Sequence, residues 1–159
     1  VPRGSVISEV TELRDVFATF ADVAGVPLPA GAVLNGSSVV CLLNASCSSA
    51  AGSWRSFIDL EHDIVFNDTV HWNGYAGGGW KYVLWASDLS ESLFDLVLDP
   101  YEMHDLARNA TYAPTLAQWR QRLVEQFQRE GRGPSWVSAD GKLVARPQGQ
   151  LYSPNYPAS

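Results

Sequence analysis

The chain has 159 residues, enough for one domain or two small lobes with a real core. Apolar residues make up 46% and aromatics 11%, a globular composition and not a disordered one. The formal charge is −6 with only two lysines, Lys81 and Lys142, so the surface repels phosphate backbones and nucleic acid is excluded as a partner. No apolar run approaches the ~20 residues that cross a bilayer, so no membrane association is expected, and no basic-then-apolar leader opens the chain.

The first segment, Val1-Pro2-Arg3-Gly4-Ser5, contains no initiator methionine; the sole Met is Met103. It reads either as the scar of a cleavable tag or as native sequence. Next comes an amphipathic helix in which Val16, Phe17, Phe20, Val23 and Ala24 share one face. Asp15 is expected as its N-cap, Gly25 as its left-handed C′ residue and Pro27 as its stop. Ser37 to Leu43 predicts a short helix, and the Ser/Ala/Gly stretch 44–53 a surface loop. Cys41 and Cys47 are too few for a disulfide framework; they either close one short loop or stay free.

Strand patterns follow. Phe57 to Phe66 alternates, with Asp59, Glu61 and Asp63 opposite Ile58, Leu60, His62 and Ile64. Trp80 to Trp85 and Leu93 to Leu98 predict two more strands, with Gly77-Gly78-Gly79 as a turn. Short links favour an antiparallel sheet. Leu116, Trp119, Leu123, Val124 and Phe127 then mark a helix, opened near Pro114 and closed at Gly131, whose apolar face should cover the sheet. Asp140-Gly141 between Trp136-Val137 and Leu143-Val144 signals a hairpin before a Pro/Tyr-rich tail.

Four of the six asparagines, Asn35, Asn44, Asn67 and Asn109, sit in N-glycosylation acceptor patterns, an excess over chance that points to a secreted protein or the secretory-pathway lumen. No Gly-x-Ser-x-Gly elbow, phosphate-cradling glycine loop or His-Glu-x-x-His is present, so no self-contained catalytic site is expected. His71-Trp72-Asn73 combines a titratable ring, a stacking surface and a two-way hydrogen bonder, a set that suits a sugar; a β-turn with a packed Trp is the alternative. His62, on the apolar side of its strand, reads first as a buried, hydrogen-bonded structural residue and second as a further contact. Asp59, Glu61 and Asp63 lack the spacing of a calcium loop and read as a solvated strand face.

Asp15 to Gly25 with Val26-Pro27-Leu28-Pro29, Leu34-Asn35-Gly36-Ser37-Ser38, Trp80-Lys81-Tyr82-Val83, Leu93-Phe94-Asp95-Leu96, Asp99-Pro100-Tyr101-Glu102 and Asp105-Leu106-Ala107 follow one another in order. Together these segments resemble the C-terminal region of the type I sulfatases. Ile58 to Asp63, His71-Trp72-Asn73 and Leu151 to Tyr156 are similar to an arylsulfatase branch. The resemblance implies that Val1 to Ser5 is native and that the fold is α+β. Residues 1–56 would end an α/β sulfatase catalytic domain, 57–134 would form a small antiparallel sheet packed by a C-terminal helix, and 135–159 a hairpin and extended tail. It implies a missing N-terminal catalytic domain as partner, carrying formylglycine and calcium, neither expected in this chain. Formylglycine is made from Cys or Ser in Cys/Ser-x-Pro-x-Arg, and neither Cys41 nor Cys47 lies in that pattern. The expected substrate is a sulfated small molecule or glycan, met by His71, Trp72, Asn73 and His62. A non-catalytic glycan-binding or scaffold domain and the tail of a phosphate or phosphonate ester hydrolase are the alternatives.

Overall fold

A computed structural model describes residues 4, 6–27, 36–48, 50, 52–62 and 70–147. Acceptor residues Asn35 and Asn67, the first residues Val1, Pro2, Arg3 and Ser5, Asp63 to Phe66 and the tail from 148 onward lie outside them. The chain divides into two compact units, Val1–Ile58 and Asp59–Ser159.

In the first unit, α1 spans Arg14–Val23 and α2 Val40–Leu43. Helix α1 ends as its sequence requires. Gly25 is left-handed at φ 64°, its N–H donates to Asp22 O, and the N–H of Val26 donates to Ala21 O. That pair of bonds is a Schellman motif, which satisfies carbonyls the helix would leave open. The start differs from expectation. Leu13, not Asp15, is the N-cap, and Asp15 lies two residues further on, in the first turn, and is 1% exposed. Its carboxylate is drawn away from capping by stronger donors: Arg55 bonds both oxygens at 2.6 and 2.7 Å, and Ser37 N–H donates to Oδ1 at 2.8 Å. Glu12 N–H donates to Oδ2.

The apolar stripe of α1 is not a core face here. Phe17 is 61% exposed, Phe20 69% and Val23 73%, while Asp15 and Ala18 are the helix's buried residues. The helix is held in its unit by the polar side, which leaves the apolar side facing outward. Helix α2 is shorter than the predicted 37–43 segment because the Ser38 hydroxyl turns back to Asp22 and accepts from the N–H of Val40. Cys41 and Cys47 form a disulfide.

The second unit is a four-stranded antiparallel sheet in the order β1-β2-β3-β4, with β1 Ile58–His62, β2 Trp72–Gly77, β3 Trp80–Trp85 and β4 Glu91–Asp95, plus the helix α3, Ala113–Arg129. Gly78 and Gly79, at φ 58° and 81°, make the β2–β3 turn with the two positive φ values that a type I′ hairpin demands. Strand β4 sits earlier than the predicted 93–98. The Asp95 carboxylate accepts from the N–H groups of Val97 and Leu98 and turns the chain out of the sheet. Pro114 lies in the first turn of α3, and the helix closes on a second Schellman motif, Gly131 N–H to Gln128 O and Arg132 N–H to Phe127 O.

Leu116, Trp119, Leu123, Val124 and Phe127 are the buried residues of α3. With Tyr75, Tyr82, Leu84 and Leu93 they make up most of this unit's buried apolar set. The two tyrosines keep their hydroxyls satisfied: Tyr75 donates to Gln126 and Tyr82 to Glu91, which Arg120 also grips. Burial pushes both phenols well above their ordinary range. After the helix, Val137 and Leu143 form one antiparallel bridge around Asp140-Gly141.

Candidate functional site

Because side chains alternate along a strand, β2 distributes the sequence-selected residues between two faces. His71, Asn73 and Tyr75 share the face toward α3, where the Tyr75 ring lies 5.9 Å from Trp119. Trp72 lies on the other face. Its ring stacks on His62 at 5.8 Å with an interplanar angle of 23°, and its register partner on β3 is Trp85. The structure therefore brings His62 and Trp72 together and His71 and Asn73 together, as two separate pairs.

Trp72 and His62 are both half-buried, so their joined ring surface keeps a free edge. His62 is a stacking partner rather than the buried, hydrogen-bonded residue its strand position suggests. Next to them Gly74 is required by close approach: a Cβ there would lie 2.3 Å from the carbonyl oxygen of Tyr82.

On the α3 face, Asn73 is 3% exposed and its Oδ1 accepts from Arg146 at 2.8 Å. The Arg146 guanidinium lies 3.5 Å over the Trp136 ring. Glu61 is bound through both oxygens by Arg132, and that hydrogen bonding, with a further one from Asn73, holds its carboxyl below the usual range despite partial burial. The acidic side of β1 is thus engaged and not merely solvated. The network was not legible in the sequence, because Arg132 and Arg146 stand 71 and 73 residues from their partners.

His71 is the exception. It is 4% exposed, and both ring nitrogens are buried with no hydrogen-bond partner among the described residues. A neutral imidazole carries one donor and one acceptor, and leaving each unmade costs about 1–3 kcal/mol. A polar group placed against the ring would satisfy both atoms. Both cysteine sulfurs are joined in the disulfide, and among the described residues no three of His, Cys, Asp and Glu group closely enough to hold an ion. Formylglycine and calcium do not fit these residues.

No protein-family model matches the chain. Three curated relatives do. An arylsulfatase of Clostridium perfringens is 29% identical over 150 residues, 94% of this chain and 29% of the relative. Arylsulfatase K of Xenopus laevis is 31% identical over 116 residues, 67% of this chain and 20% of the relative. The chain belongs with the arylsulfatase-like type I sulfatases. It spans less than a third of each relative's length.

Solved structures repeat the fold. A 2-O GAG sulfatase matches with TM-score 0.64 at 24% identity, over 84% of this chain and 27% of that one. A phosphonate monoester hydrolase of Silicibacter pomeroyi matches with TM-score 0.66 at 21% identity, over 92% of this chain and 31% of that one. A third, solved with its substrate D-glucosamine-2-N,6-O-disulfate, matches with TM-score 0.63 at 23% identity, over 75% and 24% of the two chains.

In this chain the resemblance motifs hold one another. Lys81 of the Trp-Lys-Tyr segment bonds both carboxylate oxygens of Glu102 of the Asp-Pro-Tyr-Glu segment, at 2.9 and 2.7 Å. The Asp105 carboxylate accepts from Leu93 N–H, and the Leu106 N–H donates to Leu93 O, joining the other two segments. The Asp99 carboxylate accepts from the N–H of His104. Side chains in that series are fold-setting ties, which is why they recognise the family without naming a reaction.

Proposed function

We propose that this chain serves a sulfate-ester hydrolase as its sheet-and-helix lobe, with the reaction carried out by a separate portion of the same protein. The observation that carries the reading is the match to curated arylsulfatases, one of them along 94% of the chain. That portion would bring the formylglycine nucleophile and its calcium, since neither has a home among the residues described here. With no formylglycine or calcium site among the described residues, the chain by itself should not turn over sulfate esters.

The outward face of α1 supports an intramolecular partner. Leu13, Phe17, Phe20 and Val23 are all exposed, an apolar stripe of the kind that normally lies against more protein. For the substrate we favour a sulfated carbohydrate or aryl sulfate. The relatives are named arylsulfatases, and one structural neighbour was solved with a sulfated glucosamine. The Trp72–His62 ring pair would stack on the apolar face of a sugar, and the buried, unpartnered nitrogens of His71, on the opposite face of β2 beside Asn73, would meet a separate polar group. The excess of acceptor asparagines favours a secreted or lumenal protein, and none of the described helices is long and apolar enough to cross a membrane.

The structural likeness to phosphonate monoester hydrolases favours a second reading, in which the ester cleaved is a phosphonate. The parent gene tests both. A Cys/Ser-x-Pro-x-Arg motif upstream of Val1 supports the sulfatase reading. A Thr or Ser nucleophile among zinc ligands would overturn it in favour of a phosphohydrolase, and neither motif would leave a glycan-binding or scaffold domain.

A further inference from the structure

Asn44 stands between the two bonded cysteines, in a segment whose every turn is tied. It caps the C-terminus of α2, and Ala45 follows in the left-handed region at φ 58°. Ser46 N–H then donates to Cys41 O at 2.8 Å and to Asn44 Oδ1 at 3.0 Å, and the Ser46 hydroxyl donates to Cys41 O at 3.3 Å. The Cys41–Cys47 bond holds the ends of this loop at a Cα–Cα distance of 5.3 Å. Asn44, Ala45 and Ser46 are all exposed. Glycan transfer needs both the asparagine amide and the hydroxyl two residues on, and here the amide oxygen and that hydroxyl are both bonded within the closed loop. The second exposed acceptor, Asn109-Ala110-Thr111, carries no disulfide across it; Thr111 N–H donates to Asn109 Oδ1 at 3.0 Å.

We infer that Asn44 is an N-glycan acceptor whose use is limited by closure of the Cys41–Cys47 disulfide, so that glycan attachment must precede loop closure. The inference rests on the secretory-pathway reading above. In the first step the Asn44 amide nitrogen attacks the anomeric carbon of a lipid-pyrophosphate-linked oligosaccharide. The new C–N bond forms as the C–O bond to pyrophosphate breaks, the amide proton passes to a base, and the lipid pyrophosphate leaves. In the competing step the two thiols give up two protons and two electrons to the disulfide of a thiol oxidoreductase, which departs as a dithiol. Once the sulfurs are joined, Ser46 is fixed against Cys41 O and the acceptor loses the freedom to be gripped.

The test is site occupancy in a eukaryotic secretory host, read by peptide mass spectrometry on total product for the natural sequence and the Cys41→Ser/Cys47→Ser double variant. Reading total product keeps the result independent of whether the variant folds. The inference predicts partial occupancy of Asn44 that rises at least about twofold when closure is abolished, as competition between two fates of one segment requires. Asn109 should be unchanged. Full occupancy of Asn44 in the natural sequence, or equal occupancy in both proteins, overturns the coupling. An empty Asn44 beside a filled Asn109 overturns Asn44 as an acceptor. Loss at both sites would count instead against the glycoprotein reading on which the inference stands.

Discussion

The guanidinium of Arg55 grips both carboxylate oxygens of Asp15 across forty residues of sequence, at 2.6 and 2.7 Å. Burial by itself would raise the Asp15 carboxyl, but Arg55 and the N–H groups of Ser37 and Glu12 together hold it below its ordinary value of 3.8. A depressed folded value means stabilisation that is full above the unfolded pKa and is lost as pH falls through the folded one. Asp15→Asn should flatten that acid limb, and Arg55→Ala should cost about 3 kcal/mol at neutral pH by leaving a buried carboxylate unpaired. Thermal unfolding of the three proteins from pH 7 downward checks both. An unchanged acid limb in Asp15→Asn would remove the tie from the account.

Gly36 and Gly25 should respond differently to alanine. A Cβ on Gly36 would lie 1.9 Å from the carbonyl oxygen of Arg14, so backbone must shift, whereas Gly25 has open space and only its left-handed φ of 64° to lose. Gly25→Ala should cost about 1 kcal/mol and Gly36→Ala clearly more. Denaturant midpoints of the two variants measure the order, and equal midpoints would contradict the packing of Gly36 on α1.

Much of the second unit was legible because its signals are local. The apolar spacing of α3 names its five buried residues, and the glycines at 78 and 79 fit one turn type. Strand β2 was less visible: Trp72-Asn73-Gly74-Tyr75-Ala76-Gly77 mixes polar and small residues, because Asn73 is buried by a partner 73 residues away and Gly74 by a backbone approach. The same reason hid the brace of the first unit, where a carboxylate placed like a cap is recruited by Arg55. The α1 pattern was read correctly as one apolar face, but periodicity does not say what covers it.

That face gives a third prediction. Phe17→Ser/Phe20→Ser should lower the stability of the isolated chain by less than about 1 kcal/mol, since both rings are already exposed, and should reduce its binding of an apolar dye. In the complete protein the same pair should cost several-fold more. Similar losses in both contexts would show that nothing packs there.

Trp72 and His71 can be separated by kinetics. In the complete enzyme Trp72→Ala should chiefly raise KM for a glycan sulfate, with about 1–3 kcal/mol lost from stacking and burial, and should affect a small aryl sulfate less. His71→Leu should leave the isolated chain as stable or slightly more so, because it removes two unmet polar groups, yet lower kcat/KM in the complete enzyme. Equal loss on both substrates together with a large fall in Tm would assign Trp72 to packing alone.

We propose that this lobe belongs to a sulfate-ester hydrolase and has no turnover of its own. Release of nitrophenol from para-nitrophenyl sulfate, set beside release from para-nitrophenyl phenylphosphonate, measures it most directly when the full product of the parent gene is compared with the 159-residue chain. Sulfate turnover is expected from the full product, preferred over phosphonate, and none above buffer from the chain. Sulfate turnover by the chain alone, or a full product that cleaves only the phosphonate, would contradict it.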